Sequence, residues 1–274
     1  MSFASFSPAS PLVLIGAGKM GGALLAGWLA GGLDPAAVVV VDPKPPADTE
    51  ALLAKAGIVP LAAPPAGVKA RLLLLAIKPQ MMGGALPALK ALIGQGTLTL
   101  SIAAGTTVAT IAEALGGAIV RAMPNTPAQV GRGVTGLYAN QAATAEDRAL
   151  AGALLSAVGE IGWVESEGLI DAVTAVSGSG PAYVFLLAEV LAEAGVAAGL
   201  EPELAARLAR QTVSGAGELL YRSDLPPAEL RRNVTSPNGT TAAALDVLMA
   251  EDGMAPLMIR AVAAAKRRAE ELAG

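Results

Sequence analysis

The chain has 274 residues, 53% of them hydrophobic and 15% charged, with a formal net charge of −4 and neither histidine nor cysteine. That length holds one large or two ordinary domains, and the acidic balance without a long Lys or Arg run argues against nucleic acid or an anionic membrane as partner. The missing residue types exclude disulfides, thiolate chemistry, and the commonest metal ligand and general base, and no carboxylate cluster has metal-ligating spacing, so no metal is expected.

The opening stretch "MSFASFSPASPLVLIGAGKMGG" has no basic n-region and runs straight into a glycine motif, so no signal peptide is expected. "PLVLIG" reads as a strand, followed by a helix over 19–30. "AAVVVVD", "ARLLLLAIK", "TLTLSIA" and "GAIVRAM" read as further strands, with helices over 50–56, 81–92 and 108–115 between or after them. "VTGLYAN" and "IGWVES" complete the set around a helix over 146–158. Continuous apolar runs such as 72–77, without alternation, suit parallel strands buried on both faces. Strand–helix alternation of this kind predicts an α/β, Rossmann-type doubly wound parallel sheet over residues 1–165.

From Glu167 onward only helical periods appear, over 169–176, 181–198, 202–221, 227–233, 240–249 and 255–272, several of them started by proline. Residues 166–274 are therefore expected to form an all-α domain. Its most apolar stretch, 181–200, carries Glu189 and Glu193 and is not read as a membrane span. A cytoplasmic protein is expected. Its low share of charge points to surface covered by another copy of the chain.

"VLIGAGKMGG" supplies Gly16, Gly18 and Gly21 in G-x-G-x-x-G spacing. Gly16 permits the tight strand-to-helix turn, Gly18 lets backbone approach a pyrophosphate, and Gly21 permits close helix packing. Lys19 and Met20 open the helix whose N–H groups face the phosphates. The motif follows a strand, opens a helix and heads an alternating pattern, which makes it a nucleotide site rather than ordinary packing. Asp42 lies 21 residues past Gly21 at the end of the second strand, where a carboxylate accepts from the adenosine ribose and repels a 2′-phosphate. That favours NADH, whereas Lys44 two residues on is a cation able to reverse the preference. Ile77, Lys78 and Pro79 in "AIKPQ", Ala103 and Ala104 in "SIAAG", and Asn125 in "MPNTP" sit at later strand ends, where ligands bind in open α/β sheets. The small alanines leave room for a nicotinamide, and Asn125 is placed to hydrogen-bond it.

In "AVSGSGPAYVF", Ser179 and Gly180 precede a proline-started helix, either as a capped helix junction or as the floor of a substrate pocket. "RRNVTSPNGTTAAAL" is more specific. Pro237-Asn238-Gly239 signals a turn, Thr240 is placed to cap the following helix, and the first-turn N–H groups with the hydroxyls of Ser236 and Thr241 form a site for a small carboxylate.

These motifs, IGAGKMG, AIKPQ, SIAAG, RAMPNTPAQVGRG, SGSGPAY and NVTSPNGTTAAAL, run nearly end to end, and with them the chain closely resembles the pyrroline-5-carboxylate reductases. The resemblance implies NAD(P)H-dependent reduction of a cyclic imine to L-proline, the last step of proline biosynthesis. It also implies a Rossmann domain plus a helical dimerisation domain, with homodimers built into larger rings such as a decamer. By the same resemblance Thr241 holds the imine nitrogen. Ser236, Gly239, Thr240 and Thr241 cradle the carboxylate, and Ser179 and Gly180 join the substrate site, which draws on both subunits of the dimer. Members often prefer NADPH and have a small polar residue where this chain has Asp42. Two other readings remain in view: a 3-hydroxyacid-type dehydrogenase, which would need a lysine in the helical segment, and a non-catalytic NAD(P)-sensing protein. No lysine lies between Lys90 and Lys266, which weighs against the former.

Overall fold

Each apolar run read as a strand is a strand in the computed structural model, which describes residues 3–273. In chain order the elements are β1 (Leu12–Ile15), α1 (Lys19–Ala30), β2 (Val38–Val41), α2 (Ala47–Ala56), β3 (Leu72–Leu75), α3 (Pro79–Leu89), β4 (Leu98–Ser101), α4 (Val108–Leu115), β5 (Ala118–Met123), β6 (Gly133–Ala139), α5 (Ala145–Leu155), β7 (Gly159–Trp163) and α6 (Leu169–Val173). The seven strands form one sheet in the order β2-β1-β3-β4-β5-β6-β7.

The first five strands are parallel, whereas β6 is antiparallel to β5 and β7 follows β6 in the reversed direction. The sheet is thus mostly rather than wholly parallel. A parallel neighbour needs a crossover of about a dozen residues or more. The link from Met123 to Gly133 holds only a single 3-10 turn, Thr126–Val130, so the chain doubles back instead.

Leu61 extends the sheet beyond β2. It pairs in parallel with Val41, accepting from Asp42 N at 2.9 Å and donating to Val40 O at 2.8 Å. The chain thus steps outward from β1 to β2 to Leu61, then crosses back to lay β3 on the other side of β1. Strand order reverses between β1 and β3, which is the switch point where open α/β sheets bind ligands.

Alternate residues of each strand feed two apolar layers. Leu12, Leu14, Val40 and Leu74 pack with Leu24, Leu25 and Trp28 of α1, Leu53 of α2, and Leu154 and Leu155 of α5. Val13, Ile15, Leu73 and Leu75 pack with Met82 and Leu86 of α3 and Ile111 and Leu115 of α4. Burial on both faces explains why these strands read as continuous apolar runs. The buried Trp28 indole N–H donates to Leu154 O at 2.8 Å, tying α1 to α5. Proline sets one helix start earlier than the pattern suggests, with Pro79 opening α3. The helices read over 81–92 and 146–158 both finish in short 3-10 turns.

α6 stops short of the expected 176 and continues as a π turn, Thr174–Gly178. Two carbonyls near this turn receive hydroxyls: Thr174 Oγ1 donates to Ile170 O at 2.8 Å and Ser177 Oγ to Val173 O at 3.0 Å. Val173 lies against Gly136 of β6, and a Cβ at Gly178 would stand 2.7 Å from Met123 Cε. Compactness therefore groups the chain as Met1–Gly178 with Lys266–Gly274, and Ser179–Ala265.

The second unit contains α7 (Gly180–Ala197), α8 (Pro202–Arg222), α9 (Pro227–Asn233), α10 (Thr240–Leu248) and the first part of α11 (Met254–Ala273). Its described residues include no strand, as the loss of apolar runs after Glu167 predicts. α7 and α8 approach closely where Gly195 meets Ala205. α7 buries none of its residues within the chain and leaves Phe185, Leu186, Leu187, Val190 and Leu191 exposed. Among the described residues one helix, Leu169–Ala197, is long and apolar enough to cross a membrane by length and composition.

Candidate active site

The C-terminal ends of β1 to β5 lie along one edge of the sheet, so their following loops share it. Gly16 leaves β1 with φ +88°, and a Cβ there would stand 2.8 Å from Ala76 O and Ile77 Cγ2. Gly21 abuts the Gly16 carbonyl, so any side chain there would drive α1 off the loop. Gly18 differs from both, because a Cβ on it would meet nothing within 4 Å. The outer two glycines are demanded by the protein, whereas the open space above Gly18 is where a pyrophosphate would lie against backbone. No side chain caps α1 and no acidic residue occupies its first turn, opened by Lys19 and Met20. Its positive end therefore carries no acidic residue of its own to compete with an anion. These residues fit a dinucleotide.

Asp42 serves two backbone donors. Its Oδ2 accepts from Ala17 N at 2.7 Å, inside the glycine loop, and its Oδ1 accepts from Lys44 N at 2.9 Å. Each carboxylate oxygen retains a further lone pair, so the group can still receive ribose hydroxyls. The first contact was not legible in the sequence, since spacing places Asp42 near the loop but does not show that it braces it. Lys44 is exposed on the turn that Asp42 closes.

Ile77, Lys78 and Pro79 follow β3, with Lys78 at the N-cap position of α3 and Pro79 its first residue. After β4, Ala103 is buried and Ala104 exposed, and Gly105 at φ +70° turns the chain toward α4. Asn125 is buried, and its Oδ1 accepts from Val134 N at 2.9 Å, holding the start of β6 beneath the loop.

In the second unit, Ser236 to Gly239 form a closed turn. Gly239 N donates to Ser236 O at 3.1 Å, Pro237 takes the second position, and Asn238 holds φ +58° at the third. Asparagine tolerates that left-handed conformation better than most residues. α10 then begins at Thr240 with Gly239 in the N-cap position and no side-chain cap. Thr240 is thus the first helical residue, not the cap, because the turn closes at Gly239 and the helix starts one residue earlier than the sequence suggests. The Ser236 hydroxyl rests against Gly239 in the space a Cβ would fill. A hydroxyl donor, the first-turn N–H groups and Thr241, whose side chain is half-buried, are therefore gathered at one helix end. Helix N-termini of this kind suit small anions such as carboxylates. Gly239→Ala is expected to displace the Ser236 hydroxyl and raise KM for a carboxylate substrate by about tenfold, the scale of one hydrogen bond to a charged group. Steady-state kinetics on the variant check this, and an unchanged KM would sink the cradle. Ser179 occupies the N-cap position of α7 without a side-chain cap bond, and a Cβ on Gly180 would meet open space.

Residues 167–272 match the family model described as pyrroline-5-carboxylate reductase dimerisation, and residues 11–105 match the model described as NADP oxidoreductase, coenzyme F420-dependent. The chain is 43% identical to a pyrroline-5-carboxylate reductase of Pseudomonas aeruginosa over 96% of both chains. The chain belongs to the pyrroline-5-carboxylate reductase family. Among solved structures it resembles the Coxiella burnetii enzyme of that name, with a TM-score of 0.88 and 37% identity over 97% of this chain and 99% of the other. It also resembles a Plasmodium falciparum pyrroline carboxylate reductase with NADP bound, at TM-score 0.77 and 28% identity, over 97% and 98% of the two chains. Membership sets aside the 3-hydroxyacid dehydrogenase reading. The bare apolar face of α7 lies within the segment matched to the dimerisation model, which supports homo-oligomerisation.

One cluster that sequence reading missed lies beside this edge. Arg121 of β5 is 3% exposed, and its Nη1 donates to Glu167 Oε1 at 2.9 Å while Nη2 stands 3.7 Å from Asp171 Oδ1. The partners are 46 and 50 residues away in sequence, beyond the reach of any local pattern.

Proposed function

We propose that this chain reduces 1-pyrroline-5-carboxylate to L-proline with NAD(P)H, the final step of proline biosynthesis. The observation that carries the proposal is the N-terminus of α10, where the Ser236 hydroxyl lies against Gly239, no side chain caps the helix and Thr241 stands in the first turn. Ser236 and the N–H groups of Gly239, Thr240 and Thr241 hold the substrate carboxylate, and Thr241 orients the ring nitrogen. Ser179 and Gly180 complete the substrate site. Gly16, Gly18, Lys19, Met20 and Gly21 hold the pyrophosphate, with Asp42 and Lys44 at the adenosine ribose. Ile77, Lys78, Pro79, Ala103, Ala104 and Asn125 border the rest of the nucleotide.

When bound, the nicotinamide supplies a hydride to the C=N carbon. The protein's own task is position and electrostatics. The carboxylate cradle fixes one end of the ring, and the Thr241 hydroxyl fixes the nitrogen and passes it a proton by way of water. The imine is itself basic enough to be partly protonated near neutrality, so a chain without histidine needs no strong acid there. One hydride and one proton are consumed, giving the saturated secondary amine.

In this reading the nucleotide-binding part is residues 1–165 and the substrate and dimerisation part 166–274. The enzyme is a cytoplasmic homodimer joined through its C-terminal helices, with dimers gathered into a ring such as a decamer. Asp42 gives NADH preference over NADPH. Steady-state oxidation of each nucleotide with pyrroline-5-carboxylate tests substrate and cofactor together. Turnover with both, faster with NADH, is expected. Nucleotide binding without turnover would favour a sensing protein and overturn the proposal.

A further inference from the structure

Arg121 stands at the centre of a set of contacts that reaches both ends of the loop after β4. At one end, Arg121 lies in register with Ser101, the last residue of β4, and the fully buried Ser101 Oγ accepts from Ala103 N at 3.4 Å. At the other end, Val108 is the first residue of α4, and its N–H donates to Glu167 Oε1 at 2.7 Å. That same oxygen accepts from Arg121 Nη1 at 2.9 Å. One carboxylate oxygen thus joins the N-terminus of α4 to a buried guanidinium in the sheet. Asp171, on α6 just after the turn that carries Glu167, flanks the guanidinium at its other terminal nitrogen. The residues between the two anchors are Ile102 to Thr107, which include Ala103 and Ala104.

A buried ion pair is weak evidence of stability, because apolar residues of like size often serve as well. What it offers instead is a fixed direction, since the planar guanidinium presents donors in a rigid fork. Thr107 already caps α4 through its bond from Thr110 N, so Glu167 is not needed merely to start the helix. We infer that Arg121, acting through Glu167, is a positioning residue that sets the Ala103–Ala104 loop at the nicotinamide edge, so that its loss impairs hydride transfer more than nucleotide binding. The inference rests on the reductase reading above. Neither residue touches substrate or cofactor in this account, because both act through the loop.

Glu167→Gln tests it with little change in shape. The amide oxygen can still accept from Val108 N and Arg121, but the charge that orders the guanidinium is gone. The expected result is a fall in kcat of about tenfold, the scale of a small misplacement of reacting groups. A larger primary isotope effect on kcat with deuterated NADH and an NADH affinity within about threefold of wild type should accompany it. Hydrogen–deuterium exchange should rise about tenfold across 102–108 as the clamp loosens, and little in β1 or α1. Arg71→Met is the comparison variant, since it removes another guanidinium ion pair, to Glu146 and Asp147 of α5, away from this loop. It should lower the thermal midpoint without moving the isotope effect. A Glu167→Gln enzyme that keeps the wild-type isotope effect and loses kcat only in proportion to its nucleotide-binding sites would overturn the inference. So would unchanged exchange across 102–108. Wild-type turnover, run alongside, reads the reductase activity separately; were it absent, exchange would still decide whether the clamp exists.

Discussion

Thr241→Ala is expected to lower kcat for pyrroline-5-carboxylate by about 10²-fold, the scale of losing one group that orients and protonates a reacting atom. Folding and NADH affinity should hardly change. Thr241 is the second residue of α10, in the first turn, and its side chain lies outside the apolar layers of the first unit. Alanine is the better helix former by about half a kilocalorie per mole, so the helix itself gains slightly. The cradle for the carboxylate also survives, because Ser236, Gly239 and the backbone N–H groups are untouched. The variant therefore separates holding the substrate from activating it: KM should move by much less than kcat. Thr241→Val, which keeps the branched shape without the hydroxyl, should match the alanine variant. Near-normal turnover in both would remove Thr241 from the chemistry, whereas normal turnover in the valine variant alone would show that shape matters and the hydroxyl does not.

The two parts of the site were not equally legible in the sequence. G-x-G-x-x-G is a local device: Gly16 and Gly21 answer to neighbours within a few residues or at the end of β3, and Gly18 to the space left for a ligand. Its structure follows from strand, turn and helix together. The Ser236–Thr241 turn is local in the same way, although the helix starts one residue earlier than the hydroxyl pattern suggests. Strand directions were harder. The run "VTGLYAN" fits a buried strand in either direction, and only the short link from Met123 settles β6 as antiparallel. The Leu61 pairing has no run of its own, because one residue donates and accepts at the sheet edge. The Arg121–Glu167–Asp171 set was illegible for another reason. A single arginine inside the apolar "AIVRAM" signals that something must answer its charge, but the answer comes from Glu167 in the turn before α6 and Asp171 on α6, after two more strands and α5. The missing histidine was informative throughout, since it directs the chemistry to hydroxyls and backbone.

Asp42→Asn should raise the ratio of kcat/KM for NADPH over that for NADH by about 10²-fold. A 2′-phosphate at the adenosine ribose would stand beside the Asp42 carboxylate, and two unit charges ~5 Å apart repel by about 3 kcal/mol at an effective dielectric constant of ~20. Removing the negative charge lifts that penalty for NADPH. For NADH the same change weakens the acceptance of ribose hydroxyls, at about 1 kcal/mol for one hydrogen bond. Both effects push the ratio in one direction. Asparagine is the informative substitute because its single oxygen can keep the bond from Ala17 N, so the glycine loop stays braced. Its amide group cannot accept from Lys44 N as Oδ1 does, and the turn carrying Lys44 should loosen. That loosening bears on the second cation-dependent possibility, that Lys44 holds the phosphate. The double variant Asp42→Asn/Lys44→Ala separates the two. If charge repulsion by Asp42 alone sets the preference, the double variant keeps the enlarged NADPH ratio. If the ammonium of Lys44 supplies the phosphate contact, the ratio falls back by about tenfold, as expected for losing one charge-assisted bond. An unchanged ratio in Asp42→Asn itself would remove Asp42 as the determinant and leave the preference to groups on the loop between α2 and β3.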